Sequence, residues 1–218
     1  MIDVVRSALA PDLLDYHEGW ALQRRVHADV VAGARPDSLI LCEHEPVYTA
    51  GRRTTEDDRP ADGTPVVDVD RGGRITWHGP GQLTGYPIVR LPDRHEVVAF
   101  VRDLEAMMID VAHAFGVSGE RVEGRSGVWV RSSGGWDKIG AIGLRVEQGV
   151  TMHGFALNCS NDLAPYGRIV ACGIRDAGVT TLSALTGRTI TPADAAPLVL
   201  DHFQRGVLGL AAREVVAA

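Results

Sequence analysis

The chain has 218 residues, enough for one large domain, and 45% of them are hydrophobic, enough to bury a core. Its formal net charge of −6 argues against a general nucleic-acid binder, which needs a basic surface to release counterions from the phosphate backbone. There is no apolar run of about 18 residues, and the start at Met1 to Ser7 has no basic stretch or apolar core, so the sequence predicts a cytoplasmic protein with no membrane span.

In chain order, Asp12 to Val31 predicts a first helix. Asp12 is its cap, Leu13, Tyr16, Trp20, Gln23 and Val30 share one face, and Gly33 lies beyond the end. Ser38 to Cys42 reads as a short strand that opens into Glu43-His44-Glu45-Pro46, with pairing stopped at Pro46; residues 51–63 read as an exposed loop. Val66–Val69 and Arg74–Trp77, with Gly72-Gly73 between them, predict a hairpin. Gly79-Pro80-Gly81 is a rigid turn. The strand Leu83–Leu91 contains Gly85 and Pro87 and is expected at an edge or bulge, because proline cannot donate to a ladder.

Arg94 to Phe115 carries the clearest helical period. Val97, Val101, Leu104, Met108, Val111 and Phe115 form one apolar stripe, Asp93 and Glu96 have capping-box spacing, and Gly116 follows the end. Strands are predicted at Gly127–Val130, Ile139–Val146 and Thr151–Leu157, with a tight turn at Gln148-Gly149. A short helix is expected at Thr181–Thr186. A last helix starts at Thr191-Pro192 and presents Ala196, Val199, Phe203, Val207 and Leu210. Strands come in clusters and do not alternate with helices. The fold class is therefore α+β, a mixed β-sheet with packed helices, in one domain over residues 1–218.

Three cysteines without a C-x-x-C pattern give no disulfide framework. Cys42 and Cys159 each close an apolar strand and read as buried, inert thiols. Cys172 stands between a short apolar run and Gly173, where both sulfur and backbone N–H can be exposed, and is the candidate nucleophile. A free thiol has a pKa of about 8.5 and needs a nearby cation to become thiolate at neutral pH. Lys138 is the one lysine among 22 basic residues, and an amine can exchange a proton where a guanidinium cannot. A leftover surface lysine is the bland alternative. The eight histidines lack metal-ligand spacing, so no metal site is expected. His78 and His153 are each followed by glycine, which allows close backbone approach to a ligand, although a structural histidine reads equally from that pattern. Arg71 to Gln82 is glycine-rich without being a P-loop or a dinucleotide fingerprint, and reads as a binding loop.

That stretch, Arg71-Gly-Gly-Arg-Ile-Thr-Trp-His-Gly-Pro-Gly-Gln-Leu83, resembles the signature of the lipoate-biosynthesis octanoyltransferases, also called lipoyl(octanoyl) transferases. Glu43 to Arg52, Lys138-Ile-Gly-Ala-Ile-Gly143, His153-Gly-Phe-Ala-Leu-Asn158 and Cys172-Gly173 match further motifs of that family in order, and Tyr16 and Trp20 fit as well. One departure is Ala171, where the family usually has proline.

The resemblance implies the fold of the biotin and lipoate ligase catalytic domains. It implies Cys172 and Lys138 as catalytic residues. It places Arg71, Gly72, Gly73, Arg74, Ile75, Thr76, Trp77 and His78 at the substrate, with Ala141, Ile142, Gly143, His153, Gly154 and Phe155. The implied donor is octanoyl–acyl carrier protein, with the acyl group on its phosphopantetheine. The implied acceptors are lipoyl domains of 2-oxoacid dehydrogenase and glycine cleavage proteins. No ATP, metal or other cofactor is implied, and a monomer is expected. Because both protein substrates are typically acidic, Arg52, Arg53, Arg71 and Arg74 are expected to supply a local basic patch. Two rivals remain: an ATP-dependent lipoate- or biotin-protein ligase of the same fold, and a non-catalytic acyl-binding domain.

Overall fold

The computed structural model describes residues 2–61, 63–91, 93, 96–169 and 177–206, without the side chains of Arg6 and Ser7. Cys172, Gly173, Ala171 and the predicted core positions Val207 and Leu210 lie outside the described residues.

One eight-stranded mixed sheet dominates. Its strands are β1 (Asp3–Ala8), β2 (Ser38–Cys42), β6 (Gln82–Ile88), β7 (Glu120–Val122), β8 (Arg125–Ser132), β9 (Gly135–Glu147), β10 (Val150–Asn158) and β11 (Gly178–Val179). Their order is β1-β2-β6-β10-β9-β8-β7, with β11 added alongside β9. The pairs β1–β2 and β9–β11 are parallel and the rest antiparallel. A second sheet of three strands holds β3 (Val47–Ala50) between β4 (Val66–Asp68) and β5 (Thr76–His78). The α+β class follows from this clustering.

Each sheet face is covered. Helices α2 (Glu96–Ala114) and α4 (Pro192–Arg205) bury Phe100, Leu104, Met107, Met108, Val199 and Phe203 against Leu83, Ile139, Phe155 and Leu157. Helix α1 (Tyr16–Val31) packs Val26 and Val30 on the opposite face against Ile40, Cys42, Tyr86 and Ile88. The alternation along β6 sorts its residues between the two layers: Leu83 goes to one, Tyr86 and Ile88 to the other. Short α3 (Leu182–Thr186) is capped by the Thr181 hydroxyl, and α4 by a Thr191–Asp194 capping box.

Several boundaries differ from the expectations for physical reasons. Helix α1 starts at Tyr16, not Asp12, because Leu14 is held by His44's strand extension and Asp15 caps the Glu18 N–H. Of the α2 boundary, Arg94 lies outside the described residues and Glu96 opens the described helix. Val66–Val69 and Arg74–Trp77 do not form a hairpin: β3 lies between β4 and β5, parallel to the first and antiparallel to the second. Pairing resumes at Val47, directly after Pro46. Strand β6 is interior, between β2 and β10. It tolerates Pro87 because the β6–β10 ladder runs only from Gln82 to Gly85; beyond it the Thr151 hydroxyl donates to the Pro87 carbonyl and accepts from the Val89 N–H. The predicted turn at Gln148-Gly149 is present, with φ of 50° and 76°. Strands β1, β3, β7 and β11 lie outside the elements expected from the sequence.

Two buried carboxylates brace this frame. Glu105 accepts from Arg102, Arg121 and the Gly127 N–H. Glu43 accepts from the N–H groups of Ala10 (2.8 Å) and Gly81 (2.6 Å), which fixes the turn before β6. Replacing Glu43 with alanine strands two backbone donors. The expected loss of stability is about 2–4 kcal/mol, read by urea denaturation. A change within ±0.5 kcal/mol would show that the clamp is dispensable.

Candidate active site

A cavity of about 270 Å³ opens on the α1 face of the large sheet, between β6, β9 and β10 and the small sheet. It gathers residues from seven separated stretches, among them three that the sequence singled out. Arg71, Gly73, Arg74, Thr76 and His78 come from the glycine-rich segment. Lys138, Ala141, Ile142 and Gly143 come from β9, and His153, Gly154 and Phe155 from β10. The structure thus brings together most of the residues singled out in the sequence. Gly72, Ile75 and Trp77 are not on the cavity wall. Gly72 donates its N–H to Leu144, while Ile75 and Trp77 pack with Tyr48 beneath the small sheet, as alternation with Thr76 and His78 requires.

Lys138 reaches the cavity through a register shift. Val128 pairs with Gly140, but the next residue, Trp129, pairs with Lys138, so Ile139 is an extra residue in β9. A bulge of this kind re-aims side chains. Ile139 joins the core on the α2 face, while Lys138 joins Ala141 and Gly143 on the cavity side. The ammonium lies 4.4 Å from the centre of the Trp129 ring, and the residue is buried. Among the described residues no carboxylate pairs with it, so the aromatic face supplies the attraction that a buried cation needs.

Arg71 organises the glycine-rich loop from inside. It is buried, and its guanidinium donates to the carbonyls of Thr49, Gly72 and Arg74 and to the Thr49 hydroxyl. It is therefore not part of a surface basic patch. Gly51 and Gly143 make room for it: a Cβ at Gly51 would stand 2.5 Å from the Gly73 carbonyl, and one at Gly143 would stand 3.0 Å from Arg71 Cδ.

The inner wall is aromatic and uncharged. Tyr16 stacks on His78 at 6.1 Å, and the Tyr86 hydroxyl donates to His44 Nε2 at 2.6 Å while His44 Nδ1–H donates to the Leu14 carbonyl. Burial pushes the Tyr16 phenol up to about 12. Burial lowers His44 to about 4 and His78 to about 3, the latter helped by His44 and Arg71. His78 Nδ1–H donates to Gln82 Oε1 at 2.8 Å. His153 adopts a left-handed φ of 59°, sends its backbone N–H to Gln23 and its Nε2 to Asp70 at 2.6 Å, and is kept neutral by burial and by Arg71, Arg145 and Arg24.

These imidazoles make the fold acid-sensitive. A histidine whose folded pKa is depressed stabilises the fold above its unfolded value, about 6.5, and loses that contribution as pH falls toward the folded value. His44, His78 and His153 together predict a loss of about 4 kcal/mol per pH unit between about pH 6 and 4. Denaturation at stepped pH reads this, and a flat profile would contradict it. The His44→Gln variant should lower the slope by about a third.

Both flanks of residues 170–176 are fastened at this cavity. Before them, the Tyr166 hydroxyl accepts from Gln82 Nε2 at 2.8 Å, and Ile169 packs on the Tyr48–Ile75–Trp77 cluster. After them, β11 runs beside β9 with Val179 opposite Lys138, and Thr180 donates to the Lys138 carbonyl. A small adjoining cavity of about 30 Å³ is walled by Lys138, Trp129 and Ala177–Val179. Cys42 and Cys159 are fully buried, and burial raises the Cys159 thiol to about 12, so both are the inert thiols expected. Among the described residues no cluster of three metal-ligating side chains occurs, and no helix is long and apolar enough to cross a membrane.

The sequence reading missed Thr84, Tyr86, Arg125 and Ala156 as cavity walls, and Trp129 as the partner of Lys138. Thr84 and Tyr86 were accessible in principle, as alternate positions of β6 flanking Gly85. Arg125 and Trp129 carried no sequence signal.

Residues 15–204 match the family model described as lipoyl protein ligase A/B catalytic domain. An octanoyltransferase of Leifsonia xyli subsp. xyli is 58% identical over 206 residues, covering 94% of this chain and 92% of the relative. Among solved structures, the bipartite lipoate protein ligase of Thermoplasma acidophilum superposes with a TM-score of 0.68 at 12% identity, over 94% of this chain and 84% of that one. A biotin protein ligase of Aquifex aeolicus gives 0.52 at 10% identity, over 94% and 68%. These two likenesses concern the fold alone. The chain therefore belongs to the lipoyl protein ligase A/B catalytic-domain family, among its octanoyltransferases, and is an acyltransferase.

Proposed function

We propose that the chain transfers an octanoyl group from octanoyl–acyl carrier protein to a lysine amine of a lipoyl domain, through a thioester on Cys172, without ATP or metal. The observation that carries this reading is Lys138: a buried amine in a cavity that no carboxylate among the described residues lines, flanked by the strand that follows the Cys172 segment. Chain connectivity limits the separation. Cys172 is three residues from Ile169, a reach of about 11 Å at most.

In the first step the Cys172 thiolate, its proton held by the Lys138 ammonium, attacks the donor carbonyl. The carrier thiolate leaves and takes the proton back. In the second step the acceptor amine attacks the acyl-enzyme, its proton passes to Lys138, and the Cys172 thiolate is released. Thioester exchange is nearly balanced in energy and amide formation is downhill, so no nucleotide is needed. Ile142, Phe155, Ala156 and the Tyr16 and Tyr86 rings offer the acyl chain apolar walls. Acceptors in this reading are lipoyl domains of 2-oxoacid dehydrogenase and glycine cleavage proteins, served by a cytoplasmic monomer.

The reading is tested with octanoyl–acyl carrier protein and a lipoyl domain, with and without apyrase. Equal transfer in both is expected. Transfer that stops when ATP is removed would favour the ligase reading.

A further inference from the structure

The cavity has a charge gradient that the acyl chemistry does not use. Its inner residues Thr84, Tyr86 and His153 are buried. Arg53 is exposed, and Arg74 and Arg125 are half-buried, so these three stand toward solvent. Among the described residues, Arg71 and Lys138 bring these to five cationic side chains on the wall of one cavity, and no Asp or Glu lines it. The chain as a whole carries −6, so this positive field is local and opposes the global sign.

The backbone of Arg53 and the guanidiniums of Arg74 and Arg125 are held in place. The Arg53 N–H donates to the Gly73 carbonyl at 3.1 Å, which laces its loop to the glycine-rich loop. The Arg74 guanidinium lies 3.2 Å from the buried Asp58 carboxylate, itself held by the Thr55 N–H at 2.9 Å. The Arg125 guanidinium stands 5.6 Å from the centre of the Trp129 ring, the same ring that takes the Lys138 ammonium. Preorganised guanidiniums suit a phosphate through charge-assisted, paired hydrogen bonds.

We infer that Arg53, Arg74 and Arg125 form an anion subsite that takes the phosphate of the donor's pantetheine arm. This rests on the acyl-carrier reading above. A flexible arm lets its phosphate stay at these arginines while its thioester reaches Lys138. The subsite would select phosphorylated donors before any contact with the carrier protein is made.

The test compares octanoyl-4′-phosphopantetheine with octanoyl-pantetheine as donors to a lipoyl domain. The phosphorylated donor is expected to have a kcat/KM higher by on the order of tenfold, carried by KM, with inorganic phosphate competing against it. In the Arg53→Ala/Arg125→Ala variant the two donors should have the same kcat/KM. The exposed single variant Arg53→Glu should narrow the difference and serves as the control for folding. Equal kcat/KM for both donors in the unaltered enzyme would overturn the subsite and leave the transferase reading intact. A phosphate preference that survives in both variants would overturn its location. A charge dependence seen only with the intact carrier protein would assign these arginines to its carboxylates instead and overturn the inference. Absence of transfer from every donor, carrier protein included, would instead defeat the transferase reading.

Discussion

Replacing Lys138 with methionine is expected to lower turnover by about 10²–10⁴-fold, the range that a positioned proton-transfer group contributes. Methionine keeps the aliphatic stem in the narrow space beside Trp129 and removes the amine. The Lys138→Arg variant separates two roles. Arginine keeps a cation against the ring, so the thiol of Cys172 should still be activated, but a guanidinium does not release its proton. Thiol alkylation by iodoacetamide should therefore remain fast in the arginine variant and slow in the methionine variant, while kcat falls in both. Near-normal kcat in the arginine variant would reduce Lys138 to an electrostatic role.

Replacing Cys172 with alanine is expected to cut transfer by about 10⁴-fold or more, as loss of a nucleophile does in other covalent mechanisms. Neither other cysteine can substitute. Cys42 and Cys159 have no exposure, and the Cys159 thiol is held far above neutral pH. Binding of octanoyl–acyl carrier protein should survive the substitution. An alanine variant that transfers normally would remove Cys172 from the mechanism. If unaltered chain and variant alike bound the donor without any transfer, the reading would be a passive acyl-binding domain.

The parts of this architecture that were legible in the sequence are those set by local pattern. The α2 stripe put Leu104, Met108 and Val111 in the core because helical period and burial coincide there. Phe100, off the chosen stripe, is also fully buried because α4 covers that flank. The illegible parts are set by pairing between distant strands. Nothing near Val66 or Trp77 announces that β3 will enter between them. Pro87 argued for an edge, and its interior place is tolerable because the β6–β10 ladder ends at Gly85, with the Thr151 hydroxyl, 64 residues away in sequence, donating to the Pro87 carbonyl. The site divides the same way. The glycine-rich segment, the lysine and the His-Gly pair were visible as residue types, and the family motifs joined them. That Lys138 faces the cavity depends on a bulge opposite Trp129, which is a property of the pairing of β8 with β9. The expected arginine patch also divided on burial, since Arg71 is spent inside its own loop while Arg53 is exposed.

The central claim is that an acyl group rests on Cys172 during turnover. The most direct measurement is the intact mass of the protein after incubation with octanoyl–acyl carrier protein, without ATP and without acceptor, followed by peptide mapping. The account predicts one octanoyl adduct, located on Cys172 and lost when a lipoyl domain is added. No adduct from an active donor, or an adduct on Cys42 or Cys159, would contradict it.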